Sequence, residues 1–213
     1  MKRVNVGCGM TPTLGWMNID NSLSIKLSKY PILSSLLYRI GVLNRPQMDF
    51  ISFCRINNIQ WANVTKVIPL ANCSVEVLYS SHMLEHLDRL EALRFLKEAK
   101  RVLANDGLIR LAVPDIRKKA LSYIESNDAD AFIASTHMCV PRPKSLLQRV
   151  LTLIVGTRHH QWMYDGNSLS KLLTEAGFSD PVVLPAGQTR INFTETLDLW
   201  EREDESVYVE AKK

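Results

Sequence analysis

Two glycines and an aspartate near the amino terminus have the types and spacing of a ligand-binding turn. Gly7 and Gly9 flank the turn at the end of a short β-rich run, and Asp20 follows eleven residues after Gly9. A dinucleotide fingerprint would need a third glycine where Pro12 stands, and an acid about 20 residues on. The turn therefore predicts a ligand that needs a close backbone and a carboxylate for a ribose diol, such as an adenosine derivative without a phosphate.

Acid and base side chains follow the predicted strands or lie near an apolar segment, residues 137–158. Ligands of open α/β sheets bind at the carboxyl ends of the strands, so these side chains are candidates for proton transfer. We favour His160 as the general base, because the stretch "HHQWMYD" puts it beside aromatic residues just before a predicted helix. Asp115 and His82 are the other catalytic candidates that we retain from the set His82, His86, Asp115, His137, His159 and His160.

The stretch "HMLEH", residues 82–86, also matches the H-x-x-E-H pattern of zinc peptidases. In those enzymes the two histidines lie on one long helix with a further ligand downstream. Here the pattern follows directly on a predicted strand. We therefore expect no metal site.

The elements that position these residues alternate between strands and helices, which predicts a parallel sheet covered by helices. The β-rich runs are 3–7, 16–20, 75–80 and 108–114, followed by closing strands in 180–187 and 206–212. Leucines from Leu87 to Leu103 recur at helical spacing, and residues 104–107, "ANDG", are expected to stop that helix. A second helix is predicted within 164–178. We expect one domain over residues 1–213.

Two apolar segments, residues 23–56 and 137–158, interrupt this alternation. Each is interpreted either as a helix that packs on the sheet, or as a lid or a surface that touches a lipid interface. The sequence leaves both interpretations open.

Composition narrows the class of partner. The net charge of +4 is too small to require a nucleic acid, and no basic run is interleaved with aromatic residues. No apolar run reaches the ~18 residues of a membrane span.

The scattered cysteines have neither zinc-ligand nor disulfide spacing, so we expect reduced thiols in a cytoplasmic protein. They are Cys8, Cys54, Cys73 and Cys139.

Several stretches in order resemble the motifs of class I S-adenosylmethionine-dependent methyltransferases. They are "VNVGCG", "GWMNID", "IPLANCSVEVLYSSHMLEHL", "LKEAKRVLANDGLIRLAVPD" and "HQWMYDGNSLSKLLTEAGF". The N-x-G-C-G opening is similar to that of a small bacterial branch often associated with cell-surface sugar modification. The resemblance implies a doubly wound, mostly parallel, seven-stranded Rossmann-like sheet of order 3-2-1-4-5-7-6, with helices on both faces and an antiparallel last strand. It implies S-adenosylmethionine as the cofactor.

The resemblance also implies roles for single residues. Asp20 would accept hydrogen bonds from both ribose hydroxyls, and Asn63 would lie near the adenine. The glycine turn would line the methionine half, and the end of the fourth strand would face the sulfonium. The cofactor-binding residues implied are Asn5, Gly7, Cys8, Gly9, Asp20, Asn63, Ser80, Ser81 and His82.

The function implied is O-methylation of a sugar, a glycan or a glycolipid precursor. The apolar segments would fit a lipid-linked saccharide acceptor at the inner face of the membrane. Basic residues of the second segment would fit its phosphate; they are Arg142, Lys144, Arg149 and Arg158. A small-molecule or protein acceptor, a nicotinamide-dependent sugar enzyme, and a non-catalytic cofactor-binding protein stay open as alternatives. The sequence does not predict the oligomeric state.

Overall fold

A computed structural model describes residues 1–139, 159–192, 194 and 196–213. Its seven strands form one sheet of order β3-β2-β1-β4-β5-β7-β6. All neighbouring pairs are parallel except the two made by β7. The predicted sheet order and the antiparallel last strand are therefore confirmed. The strands are β1 Lys2–Val6, β2 Met17–Asp20, β3 Ile59–Trp61, β4 Val75–Ser81, β5 Leu103–Pro114, β6 Ser179–Leu184 and β7 Ser206–Lys212.

Helices surround this sheet, and a 3-10 turn spans Leu84–His86. None of the helices in the described ranges has both the length and the apolar character that crossing a membrane requires. The helices are α1 Leu23–Leu27, α2 Pro31–Arg39, α3 Arg45–Ile56, α4 Arg89–Val102, α5 Ile116–Ser126, α6 Ala129–Ser135 and α7 Gly166–Glu175.

Helix α4 begins at a capping box and packs its apolar stripe on the sheet. The Asp88 carboxylate accepts a hydrogen bond from the Glu91 backbone N–H, and Glu91 reaches back to the Asp88 N–H. The helix ends at Val102, and β5 starts at once with Leu103 paired to Val75. The predicted stop at 104–107 was placed too late, because those residues form the irregular first part of β5, where the register with β4 shifts.

The first apolar segment folds as three helices at the β3 edge of the sheet. Helix α1 contacts α3 and β3, and α2 contacts α3. A small apolar cluster of Cys8, Ile25, Cys54 and Ile59 lies between these helices and the glycine turn. The sequence did not predict β3, because only Ile59 of its residues is buried. Residues 140–158 of the second apolar segment, with its four basic residues, lie outside the described residues.

Residues 7–16 cross from β1 to β2 without a helix, as the short spacing predicts. Two buried asparagines hold this crossover. Asn5 donates to the Thr11 carbonyl and to the Thr13 hydroxyl, at 3.1 and 3.0 Å. Asn18 accepts from the Thr13 N–H at 2.8 Å and donates to the Thr13 and Trp16 carbonyls. Side-chain amides therefore satisfy backbone groups that a helix would satisfy by itself.

The two faces of the sheet are covered differently over its centre. Helices α4 and α7 pack on one face. On the other, Ile191 and Leu197 of the connection between β6 and β7 pack on Val77, Tyr79 and Leu108. An ion pair lies under this connection: Arg110 Nη1 is 2.8 Å from Glu210 Oε1, and both side chains are 0% exposed. Arg110 also donates to the Gln188 carbonyl, and Glu210 accepts from the Arg190 N–H.

The Glu210→Gln variant should lose much of its stability, because it leaves the buried Arg110 guanidinium without its counter-charge. We expect the free energy of unfolding to fall by about 3 to 5 kcal/mol in urea denaturation. The control is Asp49→Asn, which removes the exposed pair with Arg45 and should cost less than about 1 kcal/mol. Equal losses in the two variants would contradict a special role for the buried pair.

Candidate functional site

The glycine turn packs directly against the end of β4. Gly7 has a φ of +72°, and a Cβ on it would lie 2.5 Å from Met83 Cγ, so a larger residue does not fit. Gly9 has a φ of +49°, and nothing lies within 4 Å of where its Cβ would be. The backbone at Gly9 is thus open to a ligand, and that ligand would be adjacent to the residues that follow β4.

Asp20 ends β2 and lies over this turn. Its Oδ2 accepts from the Gly9 N–H at 3.1 Å, and its Oδ1 accepts from the Ser22 N–H at 2.7 Å. A carboxylate has about four lone-pair sites, so both oxygens can accept further bonds. The pair of oxygens beside an open glycine backbone has the donor and acceptor chemistry to hold a ribose diol.

The side chains of Asn5 and Cys8 have other tasks. The Asn5 amide is used by the crossover, as described above. Cys8 is buried in the cluster with Ile25, Cys54 and Ile59, and burial together with the Asp20 charge raises its pKa to about 12. Only the backbone of Cys8 is therefore placed to contact a ligand in the turn.

Two of the predicted contacts at the ends of β3 and β4, the Asn63 amide and the Ser80 hydroxyl, have internal partners. Asn63 Oδ1 accepts from the Thr65 N–H and hydroxyl, at 3.1 and 2.8 Å. The Ser80 hydroxyl donates to the Val6 carbonyl at 2.9 Å, and the Ser81 hydroxyl is buried. The neighbouring Ala62 N–H donates to the Asp20 carbonyl, which keeps Asn63 close to the end of β2. An adenine contact at Asn63 stays a prediction.

His82 is engaged on both ring nitrogens. The Arg202 guanidinium, which can only donate, lies 2.9 Å from Nδ1, so Nδ1 accepts and Nε2 carries the proton. Nε2 then donates to the Ser206 hydroxyl at 2.8 Å. Burial and the Arg202 charge lower the pKa of His82 to about 3. His82 is therefore neutral, with its lone pair already used by Arg202.

Glu85 lies at the centre of a histidine cluster and is only 1% exposed. Its Oε1 is 3.5 Å from His82 Nδ1, and 3.9 Å from both His86 Nε2 and His160 Nε2. Neither oxygen accepts a hydrogen bond from another residue in the described ranges. Burial raises the pKa of Glu85 to about 8. The sequence marks Glu85 only as part of the peptidase pattern, and no other sequence signal joins it to His160.

His86 and His160 meet edge to face, with ring centroids 5.0 Å apart, and His137 lies 5.4 Å from His160. Burial, followed by the neighbouring imidazoles of His86 and His137, lowers the pKa of His160 to about 4. His160 is neutral at physiological pH and can accept a proton. The structure thus places His160 against two other histidines, and its role as the general base stays a prediction.

Asp115 has a capping role. It directly follows β5 and precedes α5. Its Oδ1 accepts a hydrogen bond from the Arg117 N–H, at 2.9 Å, in the first turn of α5. Its own N–H donates to the Glu205 carbonyl. The Asp115 carboxylate is not among the groups that lie close to Glu85 Oε1, which are His82, His86 and His160.

Comparisons with known proteins agree with this architecture. Residues 40–111 match the family model for a methyltransferase domain. A methyltransferase from Methanosarcina mazei superimposes with a TM-score of 0.54 at 14% identity, over 100% of this chain and 92% of that one. One from Thermotoga maritima gives 0.52 at 16% identity, over 100% and 81%. Both solved structures are S-adenosylmethionine-dependent methyltransferases, and at these identities they establish the fold. None of the curated proteins matches the sequence.

Thiol labelling tests the placement of Cys8. At pH 8 a thiol of pKa about 12 is ionised to only about one part in ten thousand, so iodoacetamide should leave Cys8 unmodified in the native protein. Cys54, whose pKa is raised to about 11, should also resist, while the exposed Cys73 and Cys139 react. All four should react in denaturant. Native labelling of Cys8 at the rate of Cys73 would contradict the buried position.

Proposed function

We propose that the chain is an S-adenosylmethionine-dependent methyltransferase and that it methylates a sugar hydroxyl in a glycan or glycolipid precursor. The cofactor in this proposal is S-adenosylmethionine. The observation that carries the proposal is the cluster of Glu85, His86 and His160 beside the glycine turn, joined to it by Met83. A hydroxyl acceptor must lose a proton during transfer, so it needs such groups more than an amine or thiol acceptor does.

The residues of the turn fit the cofactor. The bound cofactor supplies a methyl group already activated on a sulfonium. Gly7 and Gly9 let the backbone approach it closely, and Asp20 holds the ribose through its two oxygens. The protein has then mainly to align the acceptor and to remove its proton.

Of the three catalytic candidates, His160 is the one we propose to take the proton. His82 already uses both nitrogens, and Asp115 caps α5. His160 is neutral, so it can accept the proton, and Glu85 Oε1 lies 3.9 Å from its Nε2.

We extend the proposal to a lipid-linked saccharide acceptor reached at the cytoplasmic face of a membrane. Helix α2 and its ends expose large apolar side chains, and the sequence from Asn21 to Met48 holds four basic residues and no acidic one. An apolar helix face with basic flanks is suited to an anionic lipid surface. The exposed apolar residues are Tyr30, Ile32, Leu33, Leu36, Tyr38 and Ile40.

The Asp20→Ala variant should bind S-adenosylhomocysteine more weakly, because both bonds from the ribose to the carboxylate are lost. We expect a loss of at least about 1.5 to 3 kcal/mol in calorimetry, the range for one hydrogen bond to a charged group. Asp106→Asn, at an exposed position of β5, is the control and should bind normally. Unchanged affinity in Asp20→Ala would show that the ribose is held elsewhere.

Transfer of a labelled methyl group tests the acceptor class. Nucleotide sugars, polyprenyl-linked saccharides, small amines and a peptide pool are each incubated with methyl-labelled S-adenosylmethionine. We expect an alkali-stable methyl ether on a saccharide, with turnover of His160→Ala reduced about 100-fold or more. Label in peptides or amines alone would replace the proposed substrate class. Cofactor binding without transfer to any pool would indicate a non-catalytic protein.

Membrane contact predicts co-sedimentation with anionic vesicles of phosphatidylglycerol. The double variant Ile32→Glu, Leu36→Glu should bind at least about 10-fold more weakly, because it puts charge into the apolar face. Ile124→Glu is the control, since the exposure of Ile124 lies between those of Ile32 and Leu36 but the residue is on α5. Equal binding of all three proteins, or no binding by the unmodified chain, would contradict a lipid-facing α2.

A further inference from the structure

The last residue of β3, Trp61, lies beside Asp20, the last residue of β2. We propose that Trp61 is a positioning residue, which holds the Asp20 carboxylate in the orientation that the ribose requires without itself contacting the cofactor. The inference rests on the proposed function, because ribose binding by Asp20 belongs to that proposal. It adds a residue of a distant edge strand to the glycine turn and its acid.

Strand β3 fixes the backbone of Asp20. The two strands are parallel, and Trp61 pairs with Asp20 in their register. The Ala62 N–H, one residue further on, donates to the Asp20 carbonyl at 3.1 Å. The sheet therefore sets the backbone position of Asp20. The orientation of its carboxylate needs a further constraint, because the side-chain bonds can still rotate between staggered positions.

The peptide group between Asn21 and Ser22 supplies that constraint. Its N–H, which belongs to Ser22, donates to Asp20 Oδ1 at 2.7 Å. Its carbonyl, which belongs to Asn21, accepts from the indole Nε1–H of Trp61 at 2.9 Å. In a trans peptide the N–H and the C=O lie in one plane and point in opposite directions. The indole and the carboxylate therefore bind the two ends of one rigid group.

The bond from Trp61 opposes rotation of this peptide group. If the group turned over, the Ser22 N–H would leave Asp20, and the Asn21 carbonyl would face the carboxylate, where two acceptors repel each other. The same rotation would break the bond to the indole, which can only donate. Asn21 is exposed and lies between β2 and α1. Hydrogen bonds rather than packing must therefore hold this peptide group in one orientation.

Lys26 holds the indole ring in place. Its Nζ lies 3.3 Å from the centroid of the Trp61 ring, a cation–π contact made from the last turn of α1. Helix α1 begins directly after the peptide group, where the Ser22 hydroxyl accepts from the Ser24 N–H at 3.3 Å. The segment from Asn21 to Lys26 thus binds the indole twice, at its N–H and at its face.

Burial does not account for a tryptophan at this position. Trp61 is 40% exposed, and Ile59 is the one residue of β3 that is buried. None of the apolar clusters among the described residues includes Trp61. An exposed aromatic side chain at a sheet edge contributes little to the core, whereas its N–H has a specific acceptor next to the proposed ribose site. The hydrogen bond is therefore the contact of Trp61 that bears on function.

The test is a double-mutant cycle of Asp20→Ala and Trp61→Phe, measured on the full chain by calorimetry with S-adenosylhomocysteine. Phenylalanine keeps an aromatic ring for Lys26 and removes the N–H donor. We expect Trp61→Phe to weaken binding about 3- to 10-fold, the effect of one hydrogen bond. In the Asp20→Ala background the same substitution should change binding less than about 2-fold, because no carboxylate is left to orient.

Trp200→Phe is the matched control. Trp200 is also an exposed tryptophan, at 60%, and its ring packs against Gly187 in the connection between β6 and β7. This variant should bind S-adenosylhomocysteine normally. Thermal unfolding of each variant without ligand checks that weaker binding does not come from a loss of structure.

Unchanged binding of Trp61→Phe, or an equal loss with and without the Asp20 carboxylate, would overturn the positioning role and leave the ribose assignment intact. A loss that depends on Asp20 is a result that a merely structural role of Trp61 would not give. Normal binding of Asp20→Ala would refute the ribose assignment itself, and the positioning role with it. The cycle measures cofactor binding alone, so a failure to methylate saccharides would refute the acceptor class and leave the role of Trp61 standing.

Discussion

The structure depends on a crossover that joins two parallel strands without a helix. The backbone groups of residues 7–16 cannot satisfy one another as helical groups do, so side chains must do it. Asn5 and Asn18 take that role from the ends of β1 and β2, and Asp20 bonds the Gly9 N–H. The same compact turn brings Asp20 close to the glycines. The carboxylate that we propose to bind the ribose therefore comes early in the chain because the crossover is short.

The connection between β6 and β7 also depends on side-chain hydrogen bonds. The connection between β6 and β7 lies over the central strands and bonds to the crossover through Thr196 and the Leu14 carbonyl. An irregular segment needs partners for its own backbone, and the buried pair of Arg110 and Glu210 bonds the Gln188 carbonyl and the Arg190 N–H. The connection also brings Arg202 to His82, which fixes the tautomer of that histidine. Elements far apart in sequence thus set the chemistry at the end of β4.

Most of the sheet could be predicted from the sequence because its strands are buried and apolar, and the predicted strand at 206–212 coincides with β7. Strand β3 could not, since a three-residue edge strand with two exposed side chains has no hydrophobic pattern. The glycine turn and Asp20 were also predictable from local spacing. The position of Glu85 in the site was not predictable, because it depends on contact with His160, which lies on a distant segment of the chain. Position alone predicts Asn5 and Cys8 as ligand contacts, whereas the Asn5 side chain bonds the crossover and the Cys8 side chain is buried in an apolar cluster.

We propose ribose binding at the end of β2 and acceptor activation just after β4, two sites that the β1–β4 pairing and the packing of Met83 on Gly7 hold side by side. A crystal structure with S-adenosylhomocysteine tests this placement most directly. It should show both ribose hydroxyls on the Asp20 carboxylate and the cofactor sulfur directed toward Glu85 and His160. A ribose bound away from Asp20, or a sulfur directed away from the histidine cluster, would contradict the account.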